Sequence, residues 1–346
     1  MMVELFQSQL ARVLSHLTLE SESVLLFAGQ RFQVPPIAGK NPVSPHPLPA
    51  DPLVRYLQAI FYAYCYSRPF AGSPLPQVQG VFPMDQAFVA QLSAANKSRE
   101  VWDQGWEVYL AMPDGRVFAK KADRQRAAAP GEFVTSGAQP MASMSGATIN
   151  LLQRRESIGL QPGFYYGYSE VPNDVWDDYT LVRFYFHLES AGAAVLVEQI
   201  TSAFNAFMVP FQFKTLDAPA AYDRTDSAVL YLARRYYEIA ARLILVHHST
   251  LSRFLKPATP FFTRKLMDGV GVADDPGNGE SFGMNRCRLL AEGIVDAFRS
   301  NATTPEARLQ AVRTRFALNR LDMNSPHLGA GLVDFPTVTL ECQEIT

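Results

Sequence analysis

The sequence predicts an α+β fold: a mixed central sheet with flanking helices, preceded by a mainly helical N-terminal region. Three observations predict it. Strict apolar/polar alternation in Leu181–Leu188 and Pro210–Leu216 reads as half-buried strands. The stretch between them places Val195, Leu196, Ile200 and Phe204 on one helical stripe, so strand, helix, strand is the unit, with the helix packed over the apolar face. The first hundred residues carry apolar side chains at helical spacing. The pattern changes near Trp106, which divides the chain into a helical region, 1–100, and an α+β core, 101–346.

In the N-terminal region, Leu5, Leu10, Val13, Leu14 and Leu17 mark one helix, and Val54, Leu57, Ile60, Phe61 and Tyr64 mark another. The proline-rich connector between them, Val34–Pro52, is excluded from a helix interior. Tyr62, Tyr64 and Tyr66 with Arg68 line either a groove or, as is commoner for an aromatic stripe, the core. Beyond Trp106, two short strands meet at a turn over Pro113, Asp114 and Gly115. A small, polar loop follows, 122–148.

Composition narrows the function classes. Hydrophobic residues make up 48% and charged residues 18% of 346 residues, the balance of a folded globular protein. A formal charge of -2 gives no reason to expect nucleic acid or an anionic membrane as partner, so any basic site is local. The 3 cysteines, Cys65, Cys287 and Cys342, are widely spaced and form no CxxC, which points away from a disulfide framework or structural zinc and toward a reducing compartment. With no basic-then-apolar N-terminal signal and no membrane-length apolar run, a soluble cytoplasmic protein is expected.

The chemistry lies in the second half. In LVRFYFHL, Val182, Phe184 and Phe186 share one face while Arg183, Tyr185 and His187 share the other. In PFQFKTL, Phe211 and Phe213 oppose Gln212 and Lys214. If both strands lie in one sheet, Lys214 joins Arg183 and His187 on a face that the helix leaves open. Tyr222, Arg224 and Asp226 then alternate ahead of an apolar strand, Ala228–Leu232. Pro260–Leu290 adds a basic pair, Arg264 and Lys265, a turn rich in glycine, and Arg286 and Arg288 entering a helix; free N–H groups around Ser281–Gly283 would suit an anion. Asp274 and Asp275 read as turn residues. No nucleophile elbow, P-loop, zincin or dinucleotide motif is present. What remains, Arg183, His187, Lys214, Arg224, Lys265 and Arg286, is an excess of cations that suits a phosphate or phosphoester. The competing reading is a set of unrelated ion pairs to Asp217, Asp223, Asp226 and Glu189.

RFYFHL, FQFKTL, YDRTDSAVLYL, PFFTRKL, GVADDPGNGESFGMNRCRLLAEGI and SPHLGAG resemble the HopA family of type III effectors. They are similar in particular to its relatives encoded beside kinases in class V lanthipeptide and thioamitide-type gene clusters. The resemblance is densest from about Gly163 to Gly331. It implies a phosphothreonine/phosphoserine lyase that acts on a ribosomal precursor peptide, phosphorylated by a cognate kinase, and leaves a dehydroamino acid; a kinase heterodimer is within its scope. The alternative is a non-catalytic effector or kinase-partner protein that binds a peptide or a host immune protein.

Such an elimination demands no cofactor and no metal. It needs a base for the Cα proton and protonation or neutralisation of the departing phosphate. By analogy of role with the secreted phosphothreonine lyases, Lys214 is assigned as base, expected to be deprotonated among Arg183, Arg224, Phe211 and Phe213. His187 is the expected acid. Arg183, Arg224, Lys265 and Arg286 are expected to hold phosphate, with Tyr185, Tyr222, Asp226 and Ser281 in support.

Overall fold

The computed structural model of the protein describes residues 2–36, 49–75, 82–135, 145–174, 177, 179–302 and 304–339. Helix α1 (Met2–Ser15) leads into a three-stranded antiparallel meander, β1 (Leu17–Ser21), β2 (Val24–Phe27) and β3 (Gln30–Gln33). These strands are an addition to the helical reading of this region. Their apolar spacing is short and irregular, and what fixes them is packing: Leu25 and Phe27 are fully buried against the next helix. That helix, α2 (Pro52–Phe61), starts where the Asp51 carboxylate accepts from the Leu53 and Val54 N–H groups and Pro52 takes the first turn. It continues directly into a π-helical turn, Tyr62–Tyr66. Helix α3 (Gln86–Ala95) follows, capped by Asp85. Most of the proline-rich connector, and Cys342, lie outside the described residues.

The hairpin over Pro113–Gly115 is present. It joins β4 (Val101–Ala111) to β5 (Val117–Lys121) within a five-stranded antiparallel sheet completed by β6 (Arg124–Ala128), β7 (Phe133–Thr135) and β8 (Thr148–Gln153). The loop expected at 122–148 thus contributes two strands. This sheet has its own small core around Trp106, Val108, Ile149 and Leu151.

The seven-stranded sheet carries the site. It contains β9 (Glu156–Gln161), β10 (Phe164–Tyr168), β11 (Leu181–Phe186), β12 (Gln212–Leu216), β13 (Ala228–Ala233), β14 (Arg264–Met267) and β15 (Val270–Asp274), in the order β14-β15-β11-β13-β12-β10-β9. Helix α4 (Ala193–Ala206) connects β11 to β12, and β13 is inserted between them, antiparallel to both. This is a split β-α-β unit rather than two adjacent strands. Helices α3, α4 and α5 (Tyr237–Val246) cover the apolar face, burying Phe184, Phe186, Phe213 and Leu230. The short α6 (His248–Leu251) ends that layer.

The opposite face is covered on one side only. Helices α7 (Phe282–Arg299), α8 (Pro305–Leu318) and α2 share a core with Tyr185, Val229 and Ala273 of the sheet and with Leu10, Leu25 and Phe61 of the N-terminal segments. Residues before 100 and after 260 therefore build one core together.

Candidate functional site

Pairing across the sheet fixes which side chains meet. Lys214 stands opposite Val229, which stands opposite Tyr185, while Gln212, Tyr231 and Arg183 form the next row. On the uncovered side, Lys214 Nζ lies 4.4 Å from the centre of the Phe164 ring and 5.7 Å from that of Tyr231. The Arg183 guanidinium is 5.2 Å from the same Tyr231 ring. A carboxylate and two ring faces surround Lys214, an environment that attracts a cation. Phe211 and Phe213, expected around it, point instead into the opposite core, as a period of two requires.

The carboxylate is Asp226. Arg224 grips it side-on, Nε to Oδ1 and Nη2 to Oδ2, each 2.9 Å, and Nη2 also donates to the Tyr62 hydroxyl at 2.9 Å. Burial opposes ionisation of Asp226, but Arg224 and Lys214 hold its carboxyl below the usual carboxylate range. The Asp226 carboxylate keeps Arg224 firmly charged, and burial raises the pKa of the Tyr62 phenol. Tyr62 reaches this pair from the π-helical turn, a distortion that re-aims side chains at the end of α2. Its ring stacks on Tyr66 at 5.1 Å.

Arg183 is tied to Asp275, with Nε donating to Oδ2 at 2.6 Å. Burial disfavours its charge, but the neighbouring Tyr185, Tyr231 and Asp275 raise its pKa overall. Asp274 accepts from Arg234 and the Gly329 N–H. Asp275 is the turn residue expected, accepting from the Gly277 N–H at 2.8 Å, and an arginine anchor as well, while Asp274 at the end of β15 is an arginine anchor. In both Arg183 and Arg224 the bonds to the carboxylate run through Nε and Nη2.

The structure brings Lys214, Arg224, Asp226 and Arg183 onto one partly exposed surface, and places the other expected site residues elsewhere. His187 lies past the end of β11, is buried, and its Nδ1 is 3.0 Å from the Ala258 carbonyl oxygen; burial lowers its pKa, so at neutral pH it is uncharged. It sits two residues further along the strand direction than Lys214 and two strands across, because the alternation reports a face but not a position along it. Tyr222 projects into the opposite core, where its hydroxyl donates to the Leu216 carbonyl at 3.0 Å and lies 2.7 Å from Thr215 Oγ1. Lys265 lies in the row of Tyr185 and Lys214 but on the edge strand, four strands from β12 or roughly 19 Å. It pairs there with Asp268 at 2.5 Å.

Arg286 is 1% exposed and donates to the carbonyl oxygens of Pro326 and Leu328 and to Asn285 Oδ1. With no carboxylate against it, burial pulls its pKa down to about 10. It anchors the 326–328 loop, and its burial leaves it unavailable to a bound anion. Tyr185 is 2% exposed beneath Tyr66 and Phe282. The expectation of a wholly open polar face therefore fails over β11. Tyr66 passes so close to Gly283 that a Cβ there would lie 2.4 Å from its ring. Ser281 caps α7 by accepting from the Met284 N–H, and the acid nearest that helix start is Glu280, which is occupied by Arg288 and Asn285. The turn rich in glycine is thus a closed cap. Tyr62, Tyr231 and Asp275 are the members that sequence reasoning did not place; Tyr62 was visible only as one of an aromatic stripe.

Among the described residues no group of three or more His, Cys, Asp or Glu is placed to hold a metal, and no helix is long and apolar enough to cross a membrane. Cys65 and Cys287 are buried free thiols.

The chain is a mixed α+β protein whose seven-stranded sheet carries a partly exposed cationic surface. The model of the HopA1 effector protein family matches residues 156–328, half of the chain, and the chain belongs to that family. Two solved structures are similar. The effector protein from Pseudomonas syringae pv. tomato strain DC3000 is 17% identical with a TM-score of 0.45, over 84% of this chain and 91% of that chain. The effector protein from Pseudomonas syringae pv. syringae strain 61 is 16% identical with a TM-score of 0.41, over 78% and 88%. No curated protein matches.

Proposed function

We propose that the protein is a phosphothreonine/phosphoserine lyase of ribosomal peptide maturation, working after a kinase, with Lys214 as the base. The observation that supports this most is the placement of Lys214: a half-exposed amine with no carboxylate at ion-pair distance among the described residues, standing beside two guanidiniums that carboxylates hold in fixed orientation. In the proposed step, Lys214 Nζ takes the Cα proton. The C–H electrons form the Cα=Cβ bond, and the Cβ–O bond breaks with its electrons moving to the phosphate. Arg183 and Arg224 neutralise that phosphate, so the departing group needs no separate acid. Serine yields dehydroalanine and threonine dehydrobutyrine.

The experiment is co-expression with the neighbouring kinase and precursor peptide, followed by intact-mass analysis. A peptide lighter by one phosphoric acid from its phosphorylated form is the expected product, with inorganic phosphate released. Lys214→Ala should slow release by about two to four orders of magnitude while the phosphopeptide still binds. Intact phosphopeptide after long incubation with wild-type protein sinks the proposal.

The second reading is a non-catalytic peptide-binding effector. It is favoured by the burial of His187 and by the carboxylates already seated on both arginines. Tight binding without phosphate release, indifferent to Lys214→Ala, would select it.

A further inference from the structure

The loop that carries Arg224 and Asp226 is held, residue by residue, by the end of the α2 segment. A helix ends on carbonyl oxygens that have no partner within it, and Thr225 meets those of Tyr66 and Ser67. Its hydroxyl donates to the Tyr66 oxygen at 2.6 Å and its N–H to the Ser67 oxygen at 2.8 Å, and the residue is fully buried. Just before it, Asp223 accepts from Arg68 Nε at 3.1 Å and Nη2 at 2.6 Å. Arg224 and Asp226, on either side of Thr225, both meet Tyr62.

Tyr62 closes a ring of hydrogen bonds. Arg224 Nη2 donates one proton to Asp226 Oδ2 and the other to the Tyr62 hydroxyl oxygen, each at 2.9 Å, and the phenol gives its own proton to Asp226 Oδ2 at 3.3 Å. That corner requires a group able to accept and donate at once, which a hydroxyl is. Asp226 alone, two positions along the same loop, would move with Arg224. Tyr62 instead ties the guanidinium to a segment 162 positions away in the chain. The phenol is itself fixed, since its ring stacks on Tyr66 at 5.1 Å and the π-helical turn is closed by the Ser67 N–H on the Tyr62 carbonyl at 2.9 Å. Turns of this kind are frequent at functional sites. A guanidinium already held in direction loses little freedom when an anion binds it.

We infer that Tyr62 is a positioning residue, whose hydroxyl sets the direction in which Arg224 presents its guanidinium to an anion beside Lys214. The inference rests on the reading of that surface as a phosphate site and adds how its affinity is set: the site is incomplete without the 62–68 segment, which acts on the anion through Arg224.

The test compares Tyr62→Phe with Tyr64→Phe in the full chain. Each keeps the ring and deletes a hydroxyl of the same turn, but that of Tyr64 bonds Gln30 Oε1 at 3.0 Å. The first readout needs no ligand. It is solvent exchange of the Arg224 Nε–H, followed by nuclear magnetic resonance on isotope-labelled arginine and assigned by its loss in Arg224→Lys. Exchange should quicken at least about fivefold in Tyr62→Phe and hold in Tyr64→Phe. The second is calorimetric binding of a short peptide with a central phosphothreonine, with Lys214→Ala present throughout to prevent turnover. Tyr62→Phe should weaken binding about tenfold, Tyr64→Phe should leave it within about twofold, and Tyr62→Phe should add nothing to the loss caused by Arg224→Ala. Unchanged exchange in Tyr62→Phe, equal effects of the two tyrosine variants, or losses that multiply between Tyr62→Phe and Arg224→Ala would overturn the inference. Faster exchange in Tyr62→Phe alone, with no phosphopeptide binding before its introduction, would keep the positioning role and discard the phosphate site.

Discussion

The two halves of one sheet face carry the same residue types and put them to opposite uses. Over β11 and β15, the phenol of Tyr185 and the nearby guanidinium of Arg286 are sealed beneath Tyr66, Phe282 and the 326–328 loop. Over β12 and β13, Lys214 and Tyr231 remain partly exposed, and Arg224 approaches from the loop before β13. The difference is not in the strands, whose alternation is equally strict, but in what lands on them. Helix α7 reaches the first half because Gly283 lets Tyr66 pass, whereas Lys214 on β12 stays half-exposed. The sealed Arg286 is held by two carbonyl oxygens and an amide oxygen, whereas Arg224 on the open face is held side-on by a carboxylate.

Arg286 should give the largest loss of stability. Its guanidinium is 1% exposed and bonds three acceptors, so Arg286→Ala leaves those acceptors buried and opens a cavity. We expect a loss of about 3 kcal/mol or more in urea unfolding, with Arg286→Lys recovering little because an ammonium does not reproduce the planar fork. A loss under 1 kcal/mol would erase the contrast between the halves. Asp226→Asn should cost less, about 2 kcal/mol, since Arg224 is partly exposed and water replaces part of the pair. Its pH signature has a definite sign. The folded Asp226 pKa lies below its usual 3.8, so the pair stabilises fully above that value and is lost as pH falls through the folded one. The variant should therefore flatten the acid limb of a stability-against-pH curve. If the site is a lyase, it should also impair phosphate release, by misorienting Arg224.

Much of the sheet was legible. The alternation of Leu181–Phe186 and the apolar run Ala228–Ala233 give strands with the expected faces, because period two is dictated by the pleat. The row of cations on that face was legible for the same reason. Registry was not: that β13 lies between β11 and β12, so that His187 and Lys214 are offset, depends on non-local pairing which no local pattern encodes. Nor was the covering of Tyr185, since it depends on a glycine in α7 meeting a tyrosine more than two hundred positions earlier. Arginines were the least legible type. The same residue serves as anchor at 286, ion-pair partner at 183 and exposed charge at 126, and only the acceptors around each one decide.

His187 gives the smallest effect and separates the two halves most finely. Its ring nitrogen contacts the Ala258 carbonyl, Lys256 opposes a positive charge there, and Asp226 and Asp223 favour one; burial outweighs them and lowers its pKa. A histidine kept neutral in the fold is protonated more readily when unfolded. Its contribution to stability is thus complete above about 6.5 and declines as pH falls toward the folded pKa. His327, also buried with a lowered pKa, adds a slope of the same sign. His187→Gln should reduce, without abolishing, the loss of stability between about pH 6.5 and pH 5, by up to roughly 1 kcal/mol. Because the ring is buried away from the Lys214 surface, phosphate release should stay within about threefold of wild type, whereas a general acid would cost two orders of magnitude or more. A loss of that size with the fold intact would return His187 to the chemistry and require the buried end of β11 to open during turnover.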